Sequence, residues 1–116
     1  MKYFLLTLAL FAPLPAFAHA QLIKAEPAVG SVVTKAPMQV SLHFSEGVEP
    51  GFTTVVVTSA SGARVDDGAP RTAPDDNRTL QIGLKPLAPG DYRVEWHATS
   101  VDTHKTQGAF GFTVRQ

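Results

Sequence analysis

From Tyr92 to Ala98 apolar and polar residues alternate without a break. Tyr92, Val94, Trp96 and Ala98 take one phase, and Arg93, Glu95 and His97 take the other. Successive side chains of an extended chain point to opposite faces, so this segment predicts a strand with one buried and one wet face. The same period of two runs through Val40, Leu42 and Phe44 against Gln39, Ser41 and His43, and through Leu80, Ile82 and Leu84 against Gln81 and Gly83. Phe110, Phe112 and Val114 predict a last strand, and the β-branched run Thr53 to Thr58 one buried on both faces. Gln21 to Ala25 reads as a first, edge strand ended by Pro27 and Gly30. No segment after residue 18 carries the 3.6-residue period of a helix.

Turn-forming residues cluster at 46–51, 59–62, 66–77 and 88–91, so the strands are short and frequently reversed. That pattern predicts an all-β domain, a Greek-key β-barrel or sandwich of immunoglobulin-like shape with six or seven strands. The string LAPGDY, Leu87 to Tyr92, matches the tyrosine-corner turn of such sandwiches, which gives Tyr92 and Trp96 a structural role. The polar stretch DDGAPRTAPDDN, 66–77, reads as a mobile loop.

Residues 1–18 have a separate pattern. Lys2 supplies a positive start, Phe4 to Leu14 are almost wholly apolar, and Ala16 and Ala18 place small residues where a signal peptidase reads them. This is the arrangement of a cleaved export signal, and the apolar run falls short of the ~20 residues that span a bilayer. Cleavage after Ala18 leaves one domain, residues 19–116, beginning at His19. Loss of Lys2 takes the formal net charge from 0 to −1, which gives no electrostatic case for nucleic acid or an anionic surface. The chain has no cysteine, so its core must hold without disulfides and any metal must be held by nitrogen and oxygen.

Processing makes one of the four histidines exceptional. An N-terminal His19 offers a metal both its α-amine and its ring Nδ1, closing a six-membered chelate ring. The amine's ordinary pKa of ~7.7–8 makes its proton cheap to displace near neutrality. Asp102-Thr103-His104 is the second element, because residues i and i+2 of an extended segment project to the same side. An amine, two imidazoles and a carboxylate suit tetragonal Cu(II), and zinc would accept the same donors. Glu46 follows a strand end and can stand beside the amine as an outer-shell acceptor or weak fifth ligand. His43 and His97 fall on polar strand phases and read as solvent-exposed imidazoles. No nucleophile motif such as G-x-S-x-G, phosphate loop or paired-carboxylate motif is present.

The strings HAQL, AEPAVGSVVTKAP, LHFSEGVEPGF and LAPGDYRVEWHATSVDTHKTQGAFGFTV resemble the CopC (PcoC, YobA) family of periplasmic copper-binding proteins over essentially all of residues 19–116. The resemblance implies a Greek-key β-barrel and a Cu(II) site made from the His19 amine and ring, Asp102 and His104, with Glu46 beside the amine. It implies non-catalytic copper buffering or delivery in the periplasm by a monomer. The partners implied are an inner-membrane CopD-like protein and, in some systems, a periplasmic copper oxidase. Family members with a second, Cu(I) site carry a methionine-rich loop. Here Met38 is the only methionine after Met1, and residues 58–78 contain neither Met nor His. Soft thioethers are what Cu(I) requires, so one Cu(II) and no Cu(I) site is expected. Two other classes fit the residues less well. A histidine-brace copper oxidase acting on polysaccharide would want exposed aromatics, whereas Phe44, Tyr92, Trp96, Phe110 and Phe112 all fall on core phases. A metal-free immunoglobulin-like interaction module would leave His19 and the D-x-H element without purpose.

Overall fold

The computed structural model describes residues 19–116, and the segment read as an export signal lies outside the described residues. Eight strands follow one another: β1 (Leu22–Glu26), β2 (Val32–Val33), β3 (Gln39–Phe44), β4 (Thr54–Ser59), β5 (Arg71–Ala73), β6 (Asp76–Gly83), β7 (Gly90–Thr99) and β8 (Lys105–Val114). They form two four-stranded sheets, ordered β1-β3-β6-β5 and β2-β8-β7-β4. The domain is therefore an open sandwich and not a closed barrel. All pairings are antiparallel except β2 with β8.

The alternation that opens the sequence argument decides the packing. Tyr92, Val94, Trp96 and Ala98 are buried, and Arg93, Glu95 and His97 are exposed. Facing them, Val40, Leu42, Phe44, Leu80 and Ile82 come from the other sheet into the same core. The Phe44 ring meets Trp96 edge-on, with centroids 5.3 Å apart, and so joins the two sheets at mid-depth. Tyr92 stacks on Phe112 at 5.4 Å, and its hydroxyl donates to the Ala88 carbonyl at 2.5 Å. That last bond is the tyrosine corner expected from LAPGDY.

Three readings of the fold from sequence need correction. The run Thr53 to Thr58, expected to be buried on both faces, falls largely in edge strand β4, in which Val55 and Val57 are buried while Thr54 is exposed and Val56 only partly covered. The count of six or seven strands becomes eight, because β2 and β5 are too short to show a period. The 66–77 stretch is not one loose loop. Pro74-Asp75 turns the chain between β5 and β6, with Asp75 in the left-handed region at φ 61°. Asp66 is buried and accepts the Val57 N–H at 2.8 Å. Turn and strand look alike here because the outward side chains of this hairpin are all polar.

Gly108 lies opposite Trp96 in the β7–β8 register. A Cβ at this position would stand 2.6 Å from Trp96 Cζ2 and 2.9 Å from Cε2. The indole is buried and already packed edge-on with Phe44, so Gly108→Ala is expected to destabilise the fold by about 1–3 kcal/mol, as overpacking does. Denaturant unfolding followed by tryptophan fluorescence checks this. An unshifted midpoint would mean that Trp96 has room to move aside.

Candidate metal centre

One end of the sandwich gathers the N-terminal segment, the turn after β3 and the β7–β8 connection. Ala20 is fully buried, and its carbonyl accepts the Thr106 hydroxyl at 2.8 Å. On the opposite side Gln21 and Ser45 are tied twice. The Gln21 N–H donates to Ser45 Oγ at 2.9 Å, and the Ser45 N–H to the Gln21 carbonyl at 2.9 Å. The Ser45 hydroxyl also reaches the His19 carbonyl at 3.3 Å. Backbone bonds from Val101 N–H to the Gly47 carbonyl and from Glu49 N–H to the Thr99 carbonyl, both 2.9 Å, dock the 45–49 turn against the β7–β8 connection. Gly47 lies against the Asn77 side chain of β6, which a Cβ at this position would push aside, at 2.6 Å from Nδ2.

This scaffold brings His104 against two other residues singled out from sequence, the His19 ring and the Asp102 carboxylate. The rings of His19 and His104 lie 4.9 Å apart between centroids, tilted by 55°. Asp102 Oδ1 stands 3.1 Å from His104 Nδ1, but the pair is closed by a turn at 101–103 and not by the extended segment expected from sequence. Ser100, 1% exposed, donates its hydroxyl to the same Oδ1. The His104 N–H points back to the Ser100 oxygen at 3.2 Å. Thr103 takes φ 75° to make the turn this tight. The Ser100 hydroxyl, and then His104, hold the Asp102 carboxyl below the ordinary carboxylate range.

Glu46 is exposed in the adjoining turn. Among the described residues no group of three or more His, Cys, Asp or Glu side chains is drawn close enough around one point to hold a metal ion. In the sequence His19 follows Ala18, so its nitrogen there is an amide with no basic lone pair.

The other two histidines separate. His97 is half exposed, with Nε2 3.4 Å from Glu95, as its polar phase implies. His43 is not a free surface ring: β1 and β6 flank β3 and cover it. Its Nδ1 meets the Thr79 hydroxyl at 3.0 Å, and Nε2 is buried 3.6 Å from Glu26. Sequence reasoning also missed Ser100, Ser45 and Thr106. A lone hydroxyl carries no pattern, and only the fold shows which ones face the site.

A two-sheet sandwich with an amide-linked histidine beside a D-x-H turn defines a recognisable class. Residues 22–115 match the CopC domain model, and the chain belongs to the CopC family. The protein YobA of Escherichia coli strain K12 is 38% identical over 112 residues, covering 96% of this chain and 90% of YobA. The copper transport protein CutJ of Bacillus subtilis is 37% identical over 111 residues, covering 95% of this chain. This chain spans about one fifth of CutJ, 20% of its length. The crystal structure of PcoC, a methionine-rich copper resistance protein from Escherichia coli, superposes with a TM-score of 0.72 at 35% identity, covering 84% of this chain and all of PcoC.

Proposed function

We propose that this chain, cut to begin at His19 and exported to the periplasm, binds one Cu(II) and buffers or delivers it without catalysing a reaction. The observation that carries this reading is the meeting of His19, Asp102 and His104 at one end of a sandwich belonging to the CopC family. The His19 amine and ring, His104 and Asp102 supply three nitrogens and an oxygen, a set that suits tetragonal Cu(II), and Glu46 stands in the adjoining turn. Names of the relatives, copper transport and copper resistance proteins, favour copper over zinc as the cargo.

Cu(I) handling does not fit this chain. Met38 precedes β3 whereas Ser45 follows it, so the thioether lies about 20 Å from the site at the rise of a strand. Phe44, Tyr92, Trp96, Phe110 and Phe112 are buried, and Phe52 alone among the described Phe, Tyr and Trp residues is exposed, which is a poor surface for an oxidase that grips a polymer on several rings. A receiving partner of the CopD type, in the inner membrane, is supported by CutJ, a transport protein in which a domain like this one makes up a fifth of the length.

Titration of the chain beginning at His19 with Cu(II), followed by spin resonance, is expected to give one equivalent with mixed nitrogen and oxygen ligation. Affinity should fall as pH drops below neutrality, because amine and imidazoles must lose protons to ligate. His43→Ala and His97→Ala should leave it unchanged. An absence of binding would overturn the proposal, and so would a loss on His97→Ala equal to that on His104→Ala.

A further inference from the structure

We propose that Ser100 is the positioning residue of this site, a buried hydroxyl that orients the Asp102 carboxylate and the His104 ring together. The inference rests on the copper reading above and adds to it which atoms the site presents. Ser100 has one hydroxyl hydrogen and two acceptors within reach, Asp102 Oδ1 and the His104 carbonyl at 3.3 Å. The carbonyl already receives the Ser100 N–H at 2.9 Å. The carboxylate is both charged and closer, so the hydrogen goes to Oδ1. A Ser100 lone pair is then left for the His104 N–H at 3.2 Å. One buried side chain thus grips both halves of D-x-H.

The tautomer of His104 follows from the same inventory. An ionised carboxylate only accepts, so the 3.1 Å contact from Asp102 Oδ1 requires the hydrogen to sit on Nδ1. That leaves the lone pair on Nε2, the nitrogen His104 offers to a cation. Ser100 Oγ, His104 N and His104 Nδ1 all converge on Oδ1. Oδ2 is thereby the carboxylate oxygen turned to other uses. Burial of Ser100 at 1% exposure keeps water from competing for its hydrogen.

The test uses the chain beginning at His19, which retains all eight strands and the whole core. Without metal, ¹⁵N spectra of the unaltered chain should show His104 as the Nδ1–H tautomer, and a dominant Nε2–H form would overturn the proposal without any substitution. Ser100→Ala should mix the two tautomers and weaken Cu(II) binding roughly 10- to 100-fold, the usual cost of losing an orienting contact. Its copper spectrum should broaden, while far-ultraviolet circular dichroism stays that of the parent. In an Asp102→Ala background the same change should cost less affinity than in the parent, because the carboxylate half of the Ser100 grip is already gone and only the His104 N–H contact remains. An equal cost in both backgrounds would overturn the link through Asp102. Equal affinity and equal ¹⁵N spectra for parent and Ser100→Ala would overturn the role of Ser100 alone. A parent that binds no Cu(II) would instead overturn the copper reading, and the tautomer measurement would still judge the hydroxyl.

Discussion

A chain carrying one extra residue ahead of His19 is expected to fold like the chain that begins there, yet to lose Cu(II) affinity by more than the ~10–100-fold that an outer-shell contact is worth. Extension turns the α-amine into an amide, which has no basic lone pair, and the chelate ring with Nδ1 cannot form. The fold has no stake in the change. Ala20 is already buried, the Gln21–Ser45 and Ala20–Thr106 bonds lie beyond the altered nitrogen, and no core residue precedes Ala20 among the described residues. The ring of His19 stays beside His104, so the extended chain keeps three side-chain donors and lacks only the amine. Isothermal titration of the two chains, with thermal unfolding as the control on folding, makes the comparison. Equal affinities and spectra would remove the amine from the mechanism and leave a site of side chains alone. A tight site that appears only after cleavage would also keep the precursor from capturing copper before export.

Much of this architecture was legible because a single physical rule, period two with one face buried, acts residue by residue. It places Tyr92, Val94, Trp96 and Ala98 inward and Arg93, Glu95 and His97 outward without knowledge of any partner strand. The rule fails where the partner matters. His43 sits on the polar phase, as does His97, and both β3 and β7 are interior strands of their sheets. What differs is the side chains of the neighbours: Thr79 of β6 and Glu26 of β1 close on the His43 ring, whereas His97 keeps water access beside Glu95 of its own strand. Strands β2 and β5 are set by long-range pairing with β8 and β6, and two or three residues carry no period of their own.

The site divides in the same way. His19 and D-x-H are visible because their donor chemistry is unusual at their positions, a processed terminus and an i, i+2 pair. Ser100 is invisible as a single serine and becomes informative only when the strand end buries it beneath Asp102. Identity of the donors is thus local information, while their aim is tertiary information. In the proposed site the amine would be made by cleavage, so its geometry would belong to the cut chain.

Asp66→Ala is expected to cost about 3 kcal/mol of folding stability at neutral pH, within the range for breaking a buried charged contact. Asp66 lies in a DDG run that reads as a surface turn, yet its side chain is 0% exposed. It accepts the Val57 N–H at 2.8 Å, the Gly68 N–H at 2.8 Å and Arg64 Nε at 3.0 Å. The Arg64 side chain is 52% exposed, so the ion pair itself contributes little. The larger loss is the Val57 N–H, whose residue is fully buried and which would be left without its acceptor. Burial pushes the Asp66 carboxyl up, and the Arg64 contact with the two N–H donors more than offsets it, leaving the group below its ordinary 3.8. A depressed carboxyl stabilises the fold fully above the unfolded value and loses that contribution as pH falls through the folded value. The parent should therefore weaken on acidification below about pH 4, and the gap between parent and Asp66→Ala should close over the same interval. Asp66→Asn, which keeps an acceptor oxygen without the charge, should recover part of the neutral-pH loss. Urea unfolding at a series of pH values reads all three expectations. A gap that stayed constant down to pH 2 would show that the Asp66 ionisation is not what secures this turn.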